Sequence, residues 1–115
     1  MTEINYENGK PTFKGNNVVK CFNNDGNGLL FRIINEKKKQ WAFYNDTKDY
    51  NMIVQLYFGR DSKVRPLGKT KMETDSSTGD LKCELNVPPL KTEVFIEGSP
   101  NGYRLKLDAD PIDKS

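Results

Sequence analysis

The sequence predicts an all-β chain, a single antiparallel β-sandwich or flattened barrel of about eight strands. Three observations carry this. Clusters of Gly, Asn, Asp and Ser recur at short intervals, and short runs rich in Val, Ile, Phe, Tyr and Leu lie between them. No long stretch carries an apolar stripe of helical period. At 115 residues the chain is expected to be one domain, 1–115, with polar, frayed ends at about 1–8 and 109–115.

The expected strands are Val18–Phe22, Leu29–Asn35, Gln40–Asn45, Asn51–Phe58, Lys69–Thr74, Leu81–Val87, Thr92–Glu97 and Tyr103–Leu107. Asn23 to Gly28 breaks the first from the second, and the Glu36-Lys37-Lys38-Lys39 turn joins the second to the third as a hairpin. Gly59-Arg60-Asp61-Ser62 ends the fourth. The Asp75 to Asp80 loop joins the fifth and sixth as a second hairpin, and Pro88-Pro89 stops the sixth because neither proline donates to a ladder. Gly98-Ser99-Pro100-Asn101-Gly102 predicts a third hairpin between the last two strands.

Alternation sorts the side chains into faces. Leu81, Cys83, Leu85 and Val87 point one way and Lys82, Glu84 and Asn86 the other, so Cys83 is a core residue. Tyr103, Leu105 and Leu107 alternate with Arg104 and Lys106. Val94 and Ile96 are expected inward, which leaves Phe95 as an aromatic on a charged face. The strands from Leu29 to Phe58 break the rule by carrying apolar residues on both sides. They are either central strands covered on both faces or the floor of an exposed apolar cleft. The cleft reading assigns a protein or lipid docking surface to Leu30, Ile34, Tyr44, Ile53 and Tyr57, with Arg32 as a charged rim, and counts Phe95 among the docking residues.

The chain has no histidine, which removes His-based catalysis and most zinc sites. Its two cysteines are too few for a disulfide scaffold. A net charge of +2 argues against a dedicated nucleic-acid binder. There is no apolar run long enough to span a membrane and no basic-then-apolar leader after Met1. Thr2 stands where N-myristoylation needs glycine. A cytoplasmic, non-enzymatic, cofactor-free monomer is expected. Lys37-Lys38-Lys39 is a solvated turn or a contact for anionic lipid. Asp46, Asp49 and Asp61 are weak metal candidates, and they support an alternative, a calcium-dependent membrane-binding sandwich of C2 type.

Several segments resemble the N-terminal domain of kinetoplastid calpain-like proteins, which also occurs alone as a small myristoylated protein. They are Asn8-Gly9-Lys10-Pro11-Thr12-Phe13, Gly28-Leu29-Leu30-Phe31-Arg32, Trp41-Ala42-Phe43-Tyr44-Asn45-Asp46-Thr47, Asp61-Ser62-Lys63, Pro66-Leu67-Gly68 and Asn101-Gly102-Tyr103. The resemblance implies a β-sandwich like that of calpains, without the protease Cys-His-Asn residues. It also implies a partner at the cell cortex, cytoskeleton or flagellar membrane. Acylated members begin Met-Gly-Cys, whereas this chain begins Met1-Thr2-Glu3. That start fits a non-acylated member or a domain of a longer calpain-like chain.

Overall fold

Alternating apolar and polar residues build strands that bury one face each, and two such sheets close on one another. The computed structural model describes residues 9–20 and 30–112. Expectations on Cys21, Phe22, Asp25, Leu29, the 23–28 loop and both extreme ends lie outside those residues.

The described residues form nine antiparallel strands, β1 Asn17–Lys20, β2 Leu30–Asn35, β3 Gln40–Asn45, β4 Tyr50–Phe58, β5 Lys63–Pro66, β6 Lys71–Thr74, β7 Leu81–Val87, β8 Thr92–Ser99 and β9 Tyr103–Pro111. One sheet has the order β1-β2-β3-β8-β5 and the other β6-β7-β4-β9. The β2–β3 and β6–β7 hairpins form as expected. Met52, Val54, Leu56 and Phe58 of β4 and Cys83, Leu85 and Val87 of β7 meet Leu30, Trp41, Phe43, Phe95 and Ile96 in the core between the sheets.

Three expectations need correction. The last two strands do not form a hairpin: β8 pairs with β3 and β5, while β9 pairs with β4 in the other sheet. The Pro100–Gly102 turn is a crossing between layers, fixed where the Gly59 N–H donates to the Gly102 carbonyl at 3.1 Å. Second, β5 is an extra strand. Third, β9 continues to Pro111, paired with Tyr50, so residues 109–111 are strand rather than frayed end.

The short β5 is held against β8 by backbone pairing and by Arg65, whose Nε donates to Glu97 Oε1 at 2.9 Å. Glu97 also accepts from Gln40 Nε2 at 2.7 Å. Those two donors, Gln40 first, hold the Glu97 carboxyl below its ordinary range. Gly98 sits beside them at φ +134, and a Cβ there would collide with the Lys63 backbone carbonyl. Gly98→Ala is therefore expected to detach β5 and cost about 2–4 kcal/mol in urea unfolding. A cost below about 1 kcal/mol would mean that β5 contributes little.

Both faces of β2 and β3 are indeed covered. The inner face meets the second sheet. On the outer face Phe31, Ile33 and Tyr44 cluster with Phe13 and Val18 of the preceding segment. That segment is tied down by Asn16 N–H to the Ile34 carbonyl at 3.0 Å and Thr12 N–H to Thr92 Oγ1 at 3.0 Å. The molecule thus seals with its own chain the surface that sequence reasoning left open as a cleft.

Candidate functional site

The residues assigned to the cleft lie on three separate surfaces. Leu30 and Ile34 share the inner face of β2, opposite Asn45 and Trp41. Leu30 is fully buried in the core, and Ile34 is partly buried against it. Tyr44 is fully buried on the opposite face, where its hydroxyl donates to Asp46 Oδ1 at 2.9 Å. Phe95 is buried too, because a bulge opposite Trp41 and Ala42 shifts the parity of β8. Its ring packs edge-on against Phe43 at 5.2 Å. Leu30, Tyr44 and Phe95 are therefore corrected from exposed docking residues to core.

Ile53 and Tyr57 are half-buried on the outer face of the second sheet. Tyr57 lies between two cations, 5.1 Å from the Arg104 guanidinium and 6.0 Å from Lys82 Nζ. Gln55, between them, donates to Glu84 at 3.0 Å. This face is polar with two isolated apolar residues. Lys37, Lys38 and Lys39 are exposed at the β2–β3 turn.

Asp46 is only 4% exposed and holds the Tyr44 hydroxyl, whereas Asp49 and Asp61 are exposed. Asp49 precedes β4 and Asp61 follows it, so a nine-residue strand separates them. That span is about 26 Å, far beyond what one cation bridges. No group of three metal-ligating side chains occurs among the described residues.

Arg32 is the buried charge among the strand residues whose side chains are described. It points inward, in register with Phe43, and is only 9% exposed. Its guanidinium carbon lies 4.7 Å from the Trp41 ring centre and 5.3 Å from that of Tyr103. Those two rings meet edge to face at 5.5 Å. Nη1 donates to the Tyr103 hydroxyl at 3.1 Å, which joins β2 to β9 across the sandwich. Among the described residues Nε is buried with no hydrogen-bond partner, and no carboxylate faces the cation in their ion pairs. A desolvated cation keeps its field and its unmet donor, so the site is attractive to an anion. The surroundings are apolar and partly open: Tyr103 is 45% and Leu105 37% exposed, and Ile34 and Leu107 pack at the core margin.

Sequence reasoning places Arg32 in the site but omits Trp41 and Tyr103. The signal that finds them is the parity of Arg32, a lone charge in the apolar run Leu30–Ile34, on the side that the register gives to Trp41.

Cys83 is a buried free thiol, and burial pushes it from the ordinary 9.0 up to about 11. It is no nucleophile at neutral pH. In a Cys21→Ser background, thiol reagents are expected to label Cys83 only on unfolding. The unfolded thiol ionises first, so its contribution to stability is level below pH 9 and falls as the pH rises from about 9 to about 11. Rapid native labelling would contradict the buried placement.

A family model described as Domain of unknown function (DUF1935) matches residues 6–112. The NMR structure of SMP-1 (Small Myristoylated Protein) from Leishmania major is 48% identical, with a TM-score of 0.92 over 98% of this chain and 85% of that one. A Leishmania major hypothetical protein is 37% identical, with a TM-score of 0.86 over 96% of both chains. No curated protein matches.

Proposed function

We propose, from the premise that the chain belongs to the DUF1935 family, that it is a non-enzymatic interaction module for an apolar chain with one anionic head group. A free fatty acid has that chemistry. The observation that carries this reading is the buried Arg32 guanidinium, which keeps an unmet donor beside the exposed Tyr103 and Leu105. The head group accepts from Nε, and the aliphatic chain lies along the β9 margin of the core. Trp41 and Tyr103 hold the cation in place through their ring faces.

Several features support a module without catalysis. The chain has no histidine, and the thiol at Cys83 is inert. Similarity to SMP-1, whose name describes a myristoylated protein, supports a lipid-facing setting. On this reading the domain is calpain-related, as its segments suggest, and works at the cell cortex or flagellar membrane. No helix among the described residues is long and apolar enough to cross a membrane.

Titration calorimetry with oleate tests the proposal. Saturable binding is expected, weakened about tenfold or more by Arg32→Met and likewise when methyl oleate replaces the acid. The absence of binding, or equal binding of acid and ester, overturns it. Displacement of bound oleate by an acidic peptide would identify a protein ligand at the same site.

A further inference from the structure

We infer that two copies of this chain associate through β9, joining their second sheets into one continuous antiparallel sheet. Among the described residues four strands lie at sheet edges, β1 and β5 in one sheet and β6 and β9 in the other. β5 and β6 have four residues each, and β5 ends in Pro66, so those edges are short or blunted, while β1 shows four residues among those described. β9 has nine residues, all paired on one side with β4. On its other side no strand is paired among the described residues. A long edge of unpaired backbone groups is a template for another strand.

The sequence of this edge specifies a second copy. Its solvent-facing residues run Arg104, Lys106, Asp108, Asp110, basic in the first half and acidic in the second. Two such strands, placed antiparallel about a two-fold axis at Leu107, set Arg104 opposite Asp110 and Lys106 opposite Asp108 of the other copy. Centring on Lys106 or Asp108 instead sets that residue against its own copy and leaves two opposite-charge pairs in place of four. The inner row agrees with the same register, since Leu107 meets Leu107 and the half-exposed Leu105 meets Ala109. Tyr103 meets Pro111, so both strands are used along their full length. The axis runs normal to the sheet and keeps both inner faces on one side, as an isologous contact requires.

The test uses the full chain. Sedimentation equilibrium is expected to show a reversible dimer that weakens at high salt, because its charge pairs are exposed and screened. Arg104→Glu/Lys106→Glu makes the edge wholly acidic, and Asp108→Lys/Asp110→Lys makes it wholly basic. Each variant alone is expected to raise the dissociation constant by about tenfold or more, and an equimolar mixture to restore the dimer as a heterodimer. Wild-type protein that stays monomeric up to about 1 mM overturns the inference, as does self-association of both variants at the wild-type level. If a variant fails to fold, wild-type amide exchange decides. Slower exchange along β9 as concentration rises supports the dimer, and concentration-independent exchange overturns it.

Discussion

Replacing Asn45 with leucine is expected to remove about 3–5 kcal/mol of stability, a large share of the 5–15 kcal/mol typical of a domain. The side chain is fully buried and uses its whole amide. Nδ2 donates to the Val87 carbonyl at 2.9 Å and the Tyr50 carbonyl at 2.8 Å. Oδ1 accepts from the Thr47 N–H at 3.0 Å and from Thr47 Oγ1 at 2.7 Å. Its backbone adds two further bonds, donating to the Lys91 carbonyl and accepting from the Leu90 N–H. One residue thereby fastens the end of β3 to the start of β4 and the end of β7, across both sheets. Leucine fills the space but strands the Val87 carbonyl and the Thr47 N–H in a dry interior, where each orphaned group costs about 1–3 kcal/mol. Urea unfolding reads the difference. A loss below about 1 kcal/mol would show that water reaches the site and that the network is not the staple described.

Arg32→Met is expected to leave stability unchanged or raise it by up to about 2 kcal/mol. Methionine keeps most of the volume and removes a cation that is nine-tenths buried and only partly hydrogen-bonded. Desolvating such a group costs several kcal/mol, and ring faces return about 2 kcal/mol at best. Tyr103 loses its donor, but at 45% exposure its hydroxyl rehydrates. A residue that costs stability and faces an open apolar margin is held for what it binds. Thermal and urea unfolding measure this, and a loss above about 2 kcal/mol would recast Arg32 as a structural clamp between β2 and β9.

Strand content was readable where period-two alternation is strong, in β7 and in the first half of β9, where one face is covered. Other features were not. Lys63-Val64-Arg65-Pro66 has a single large aliphatic side chain, so β5 owes its place to pairing with β8 and to the Arg65–Glu97 contact rather than to its own pattern. Pro100-Asn101-Gly102 announces a turn, yet turn chemistry does not say which sheet the chain enters next. Phe95 changes sides because of a bulge, and bulges leave no mark in a parity count.

The apolar residues on both sides of β2 and β3 mark two faces, and the sequence leaves open whether the second is covered. The outer one is covered by Phe13, in a stretch with no periodicity to announce it, and by Val18, whose strand is expected but whose packing on Phe31 and Tyr44 is not. Ile53 and Tyr57 do reach the surface, but beside Lys82, Glu84 and Arg104 they make a mixed face rather than a cleft. Of the site, Arg32 was visible as a charge among apolar residues. Its burial was not, since that depends on the second sheet carrying Tyr103 over it.

The central claim is that Arg32 Nε holds a donor available to an anionic head group, and the Nε–H resonance of Arg32 in an NMR titration reads it directly. With oleate that resonance is predicted to shift and to exchange more slowly with water as an acceptor engages it, while methyl oleate leaves it in place. An Nε–H signal indifferent to oleate, at concentrations where the fatty acid binds elsewhere on the protein, would contradict the account.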